Sequence, residues 1–387
     1  MSKKYLVKLT PTGKFFFGGD MRFGIDGKDE EFSSYIIESS KMPQQTSLLG
    51  MMRFLLLSNN PDLFDIKDNC IKKDVDVDGW IGKSGFSVKS DKSTNEYGKI
   101  LSLGPCCVYG NEKYYFRAPM DKGFSSVSWE KPVPAVINGK SVELPELKVM
   151  NEDKEEPFTG KHYLSPYFMA MESESINAWE DMVYIASGKL VIKDYLYAED
   201  KLFQKDIRIG IDKDYEGKSQ KSAFYKQISY RLEEGFCFAF EVEMDENINL
   251  DEYNGQLVNL GADASTFVFE ATALEKSIAN DEREEGLCVV LLSDAYISQE
   301  DMDECNIRFS VNQMRPFRFL STVNTAETSY YRINGGEKAA QRSDRYELYQ
   351  AGSVFYFKDK EERKKFCDIL KSREDFNQIG YNKYYIK

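Results

Sequence analysis

The sequence predicts an α+β protein of about two domains, rich in strands and poor in helices. Length is the first reason, because 387 residues exceed the single core that chains of roughly 150 residues build. Composition is the second. Hydrophobic residues make up 42% and aromatics 14% of the chain, enough for a substantial core and too much for a disordered one. The third is pattern. Short runs of β-branched and aromatic residues recur along the chain, and two segments carry a helical period. No Gly-x-Gly-x-x-Gly and no Gly-x-x-x-x-Gly-Lys-Ser/Thr loop occurs, so a doubly wound nucleotide-binding sheet has no support.

The first strand is Tyr5-Leu6-Val7-Lys8-Leu9, stopped by the turn signal Thr10-Pro11-Thr12-Gly13. An aromatic run, Phe15-Phe16-Phe17, leads into Gly18-Gly19. The clearest helix covers Ser47–Leu57, with Thr46 as its expected N-cap and Pro61 beyond its end. Its apolar residues nearly encircle it, so burial is expected, with Gly50 and Arg53 as interruptions. Residues 62–165 are rich in Gly, Lys, Asp and Pro and read as a β-rich insertion. Gly85–Lys89 and Lys113–Arg117 are the strand-like pieces within it, and 188–192 reads as a further strand that returns to the first domain. In the second half, Cys237–Met244, Thr266–Glu270, Leu287–Leu292 and Ser353–Phe357 alternate or run apolar as strands do. Lys360–Arg373 places Phe366, Ile369 and Leu370 on one helical face.

Residue counts exclude much chemistry. His162 is the one histidine, so any Ser-His-Asp or Cys-His mechanism must use it, and multi-histidine metal centres cannot form. It lies in a loop-like stretch where a surface role is the simpler reading. Seven cysteines without a Cys-x-x-Cys make neither a disulfide scaffold nor a zinc finger. The apolar runs are too short to span a bilayer, and the N-terminal residues lack the long apolar stretch of a signal peptide, so a cytoplasmic protein without membrane contact is expected.

The net charge of −13 argues against nucleic acid until its distribution is considered. Residues 245–307 hold 16 acidic and 2 basic side chains, which accounts for the whole imbalance. Residues 208–231 carry six basic against three acidic groups, and 308–345 seven against three. A solvated acidic face is the simple reading of the first block, and a docking surface for a basic partner is the sharper one. The basic stretches include Lys218, Ser219, Lys221 and Tyr225, a mixture of cations, a hydroxyl and a ring suited to single-stranded RNA, and also Arg315 and Arg318. A helix starting near Gln45, Thr46 and Ser47 would offer free N–H groups to an anion, with Arg53 one to two turns on.

Taken together, Leu9-Thr10-Pro11, Phe16-Phe17 and Pro43–Arg53 resemble the opening of the CRISPR-associated RAMP proteins. Arg208-Ile209-Gly210-Ile211, Ala223-Phe224-Tyr225, Ala351–Phe357 and Gly380-Tyr381-Asn382 resemble one branch, the guide-RNA handle-binding subunit of the type III-B (Cmr) effector complex. This is a third-subunit RAMP related to the fifth Cas group. The similarity covers residues 1–60 and 205–387 in patches. After the Phe-Phe pair the family often has an Arg-Asp-Gly run, where this chain has Gly18-Gly19-Asp20-Met21-Arg22.

The resemblance implies two ferredoxin-like, RRM-type domains facing each other, at 1–205 with the insertion and at 206–387. It implies that the five-prime repeat-derived handle of crRNA is held between them without catalysis, cofactor or metal. The family's helix-start motif falls on Gln45, Thr46, Ser47 and Arg53, its late-strand Gly-Ser on Gly352 and Ser353, and its closing loop on Gly380, Tyr381 and Asn382. The partners implied are crRNA, the large polymerase-like CRISPR subunit, the backbone RAMP subunit and, indirectly, an RNA target. The alternatives are a RAMP endoribonuclease using His162, the equivalent subunit of another type III complex, and a purely protein-binding scaffold.

Overall fold

The computed structural model describes all residues except 1, 20, 26–32, 69, 73–74, 84, 122–125, 138, 152–153, 158–166, 172–182, 187–188, 193–195, 214–218, 262, 264, 276, 279–284, 325–337 and 387. It is mixed α/β and strand-rich. Strand Ser2–Pro11 lies antiparallel between Cys237–Asp245 and Ser265–Ala273. Outside Cys237–Asp245 run Ile100–Leu103 and Cys107–Gly110, and outside Ser265–Ala273 runs the edge strand Leu257–Leu260. Lys113–Arg117, Tyr167–Met171 and Leu196–Ala198 extend the sheet to nine strands. Along the chain, the first strand is followed by helix Gln45–Ser58, the 100–110 strands, Cys237–Asp245 and Ser265–Ala273. Their spatial order is therefore fourth, first, third, second.

Both faces of this sheet are covered, which explains why Tyr5–Leu9 reads as a nearly continuous apolar run. Tyr5, Val7 and Leu9 face helix Gln45–Ser58 and join Leu48, Leu49, Met52, Leu55, Phe238 and Phe240 in one core. The helix begins at Gln45, with Gln44 in extended conformation as a cap that makes no side-chain hydrogen bond. Thr46, expected as the N-cap, sits inside the first turn instead.

A second sheet is built the same way. Its strands in space are Ile307–Val311, Val354–Phe357, Cys288–Leu291 and Tyr384–Ile386. Helix Gln299–Asp303 follows Cys288–Leu291, and helix Lys360–Ser372 follows Val354–Phe357, so the order is again second, third, first, fourth. Asp359 caps the latter helix, its carboxylate accepting from the N–H groups of Glu361 and Glu362. Phe366 and Leu370 of that helix pack on Val289, Leu291 and Phe355. Alternation along the strands turns Cys288, Val290, Leu292, Val354 and Tyr385 the other way, onto Leu6, Cys107, Phe116 and Ala239 of the first sheet. The layers run helix, sheet, sheet, helix.

Several expectations change. Strands on both sides of residue 205 share the first sheet, because Cys237–Asp245 and Ser265–Ala273 flank Ser2–Pro11. Residue 205 itself falls inside Phe203–Lys213, which pairs with Ser219–Leu232. The range 62–165 is part insertion and part core, since Ile100–Leu103 and Cys107–Gly110 hydrogen-bond to Cys237–Asp245. Gly85–Lys89 forms no strand; Phe86 is buried among rings instead. The three-stranded ribbon Ser126–Ile137, Lys140–Asn151, Lys154–Pro157 is the β-rich part that is hydrogen-bonded into neither sheet, and its Trp129 rests on Arg308 and Phe309 of the second. Among the described residues, no helix is long and apolar enough to cross a membrane.

Candidate nucleic-acid interface

The closing loop expected to touch RNA is an internal joint. Gln45 is 4% exposed, and its amide donates to the carbonyls of Gly104 and Ile379, each at 2.7 Å. Gly380 has φ +88°, and a Cβ there would lie 2.0 Å from Gln45 Nε2. Only glycine allows that backbone conformation and that approach together. Tyr381 is 1% exposed. Its hydroxyl lies against the backbone amides of Gln45 and Thr46 without full hydrogen-bond geometry, and burial pushes its pKa well above the usual phenol value. The helix N-terminus proposed for a phosphate is thus closed by a tyrosine. Asn382, also buried and with φ +58°, accepts from Tyr296 N–H at 2.8 Å and donates to the Tyr296 and Leu370 carbonyls. Asn tolerates the left-handed region better than most residues because its side chain bonds locally. Thr46 and Ser47 are half-buried beside this joint.

The Ala351-Gly352-Ser353 motif is a second joint. Gly352 has φ +86° and packs so closely on Ala118 that a Cβ would meet the Ala118 carbonyl at 2.6 Å. Its carbonyl accepts from Met120 N–H at 2.8 Å. Ser353 is fully buried and donates to the Gln350 carbonyl at 2.7 Å. This loop ties the second sheet to the end of strand Lys113–Arg117 in the first. Gln45, Gly352, Ser353, Gly380, Tyr381 and Asn382 therefore have structural tasks, buried within this chain. The apolar residues before the last loop, Phe376 and Ile379, were the available signal.

Arg53 is half-buried on the long helix. Its Nε donates to Ile81 O at 2.8 Å and its Nη2 to Gly82 O at 3.3 Å, closing the short helix Asp78–Ile81. Burial lowers its pKa, and Tyr97 and Asp78 oppose the change. Its position matters more than these bonds. A Cβ at Gly85 would lie 3.6 Å from Arg53 Nη1 and 3.8 Å from the Leu320 carbonyl. Helix, loop and a hairpin from far along the chain therefore meet here. Beneath them Phe86 stacks edge-on to Phe319 and Phe376, at 4.9 and 5.1 Å between centroids.

Above that aromatic base lies an exposed basic seam. Strands Met314–Phe317 and Tyr346–Tyr349 pair, then Leu320–Asn324 and Lys338–Arg342. The neck between these pairs carries Arg318 and Arg345, Arg342 ends the outer pair, all three are exposed, and Lys83 is exposed on the loop before Gly85. Leu320, opposite Arg342 in the register, is 66% exposed. Arg345 pairs with Glu347 at 2.7 Å, and Arg318 has no ion-pair partner among the described residues. Arg315, three residues back, is engaged with Asp294, whose other oxygen accepts from Ala351 N–H at 2.8 Å. Of the expected residues, Arg53 approaches the same glycine as the Leu320 carbonyl, two positions from Arg318, while Arg315 is engaged with Asp294. Lys83, Arg342 and Arg345 were not singled out beforehand, although the charge excess of 308–345 pointed to the last two.

The remaining expected residues lie elsewhere. Lys218 and His162 are outside the described residues. Ser219, Lys221 and Tyr225 belong to strand Ser219–Leu232 in a four-stranded sheet ordered Phe203–Lys213, Ser219–Leu232, Ser33–Glu38, Met21–Ile25. Tyr225 is half-exposed, its ring lying over Gly210 on the neighbouring strand. No group of potential metal ligands occurs among the described residues.

No curated protein matches the sequence. A chain of the cryo-EM structure of the Type III-B Cmr-beta bound to cognate target RNA aligns over 99% of this chain and 96% of its own, at 12% identity and TM-score 0.48. The same complex with target RNA and AMPPnP gives 99% and 99%, 12% identity and TM-score 0.46. A chain of the crystal structure of the Csm3-Csm4 subcomplex in the type III-A CRISPR-Cas interference complex gives 91% and 92%, 11% identity and TM-score 0.32. The family model of the CRISPR-associated protein (Cas_Cmr3) matches residues 7–387. That match runs from inside the first strand to the last residue, through both sheets and the hairpins between them, and the chain belongs to the Cas_Cmr3 family of CRISPR-associated proteins.

Proposed function

We propose that this chain is a non-catalytic subunit of a type III-B CRISPR effector complex that anchors the five-prime handle of crRNA. It would bridge the large polymerase-like subunit and the backbone RAMP subunit, and meet target RNA indirectly. The observation that carries the reading is the seam of Lys83, Arg318, Arg342 and Arg345 beside Arg53. Cations there can hold consecutive phosphates, and Leu320 offers an apolar contact to a splayed base.

We also read the chain as two ferredoxin-like units. The strand order fourth-first-third-second in both sheets supports this reading, in which the units divide between Ala273 and Cys288 instead of at 205/206. In an RRM, bases stack on the open sheet face. Here Leu6, Ala239, Val290 and Val354 fill the space between the two sheets. The handle is therefore held at the rim, where hairpins of the second unit cross the helix side of the first. The strand carrying Ser219, Lys221 and Tyr225, with Lys218 before it, would be a second contact further along the RNA.

The test is binding of labelled handle RNA across a salt series with Arg318→Gln combined with Arg342→Gln. Losing two phosphate contacts should weaken affinity and reduce the slope of log K against log salt by about 1.4. An unchanged slope would remove the seam from the interface. Lys218→Glu with Lys221→Glu tests the second contact in the same way. Cleavage products from the RNA would overturn the non-catalytic reading.

A further inference from the structure

The strand Phe203–Lys213 is the outermost of the four-stranded sheet among the described strands, with Ser219–Leu232 on its one paired side. Over the seven residues 204–210 its outer edge, about 23 Å long, pairs with no described strand. Proteins usually blunt such edges with proline, short length or inward charges, because unpaired N–H and C=O groups recruit other strands. This strand has no proline, and its one irregularity against Ser219–Leu232 falls between Ile211 and Lys213, past the exposed stretch.

The two faces of the strand differ. Ile207 and Ile209 share one face and are 51% and 74% exposed. Opposite them in the register stand Ile228 and Lys226. Arg208 projects from the other face, exposed and without an ion-pair partner among the described residues. On that same face Asp206 is already held by Lys14 at 2.8 Å and Arg231 at 3.1 Å, so the uncompensated charge is positive. Aliphatic side chains offer no stacking surface to bases, and a bare strand edge matches another strand's hydrogen-bonding groups.

We infer that the outer edge of residues 204–210 accepts an extended segment of a neighbouring protein subunit by strand addition, one that alternates apolar residues against Ile207 and Ile209 with acidic residues against Arg208. The inference rests on the reading of this chain as part of a multi-subunit complex. It names a protein-docking surface separate from the basic seam proposed for RNA.

The experiment compares amide hydrogen exchange of the free chain, the chain with handle RNA, and the complex assembled by co-expression with the neighbouring type III-B subunits. The expected result is at least tenfold slower exchange across residues 204–210 in the complex alone. Ile207→Thr with Ile209→Thr keeps strand propensity and removes the apolar surface. It should lower the yield of assembled complex severalfold while leaving the salt slope for handle RNA unchanged, and adding Arg208→Glu should lower the yield further. Equal exchange at 204–210 in the free chain and in an intact complex would overturn the inference and leave the functional reading standing. Protection by RNA alone would reassign the edge to nucleic acid, and protection that tracks self-association of the free chain would reassign it to a second copy. A chain that enters no complex would overturn both.

Discussion

Gly380→Ala separates the structural role of the closing loop from the RNA-binding role its sequence predicts. Two costs follow from the geometry. A left-handed backbone with a Cβ costs about 1–2 kcal/mol, and φ here is +88°. The new Cβ would lie 2.0 Å from Gln45 Nε2 and 2.3 Å from the Gly104 carbonyl, so the amide that holds Gly104 and Ile379 must leave. Two lost hydrogen bonds cost about 1 kcal/mol each. The sum is about 3–4 kcal/mol, a fall in the urea midpoint of about 1 M or more. Gly13→Ala is the control, because nothing lies within 4 Å of a Cβ there. Urea titration by circular dichroism reads both. A Gly380→Ala midpoint no lower than that of Gly13→Ala would refute the joint. A variant of normal stability that lost handle RNA would restore the loop to the interface.

Two further predictions concern the nine-stranded and four-stranded sheets. Phe238 is fully buried against Phe15 at 5.2 Å and Phe17 at 5.4 Å. Phe238→Ala should therefore cost about 3–5 kcal/mol in urea or thermal unfolding, and a loss below about 1 kcal/mol would contradict its place at the centre of that core. The Tyr230 hydroxyl donating to Glu38, with Lys205 at 3.0 Å, holds the Glu38 carboxyl below its ordinary 4.5. A folded-state pKa below the unfolded one stabilises the protein above the unfolded value, and that contribution is lost as pH falls through the folded value. Glu38→Gln should thus destabilise at pH 7 and converge on the parent in acid. A stability gap that is constant or grows toward low pH would disprove the assigned cause.

Local pattern made the elements legible. Tyr5–Leu9, the apolar helix, Cys237–Met244 and Lys360–Arg373 all lie where their periodicity put them, because side-chain burial and backbone propensity act over a few residues. Short motifs also marked places where the backbone is special. Gly352, Gly380 and Asn382 do adopt positive φ. What the motifs could not convey is what lies across from them. Gly380 meets Gln45, 335 positions away, and Gly352 meets Ala118. A glycine needed for close approach looks the same in sequence whether the neighbour is RNA or the protein's own backbone.

The same holds for charge and for domain limits. The excess of cations in 308–345 was countable, but whether each arginine is free depended on where the chain brought an acid. Arg315 meets Asp294, while Arg318 meets none among the described residues. The expected division at 205/206 followed linear order, whereas strand pairing closes the first sheet with Cys237–Asp245 and Ser265–Ala273. By itself the sequence determined an α+β chain with its strands and two main helices, a family, and the stretches where cations gather. The tertiary structure decided which of those residues are buried joints and which form a surface. The reason is physical: periodicity and propensity are properties of neighbours in sequence, while burial, ion pairing and sheet order depend on partners hundreds of residues away.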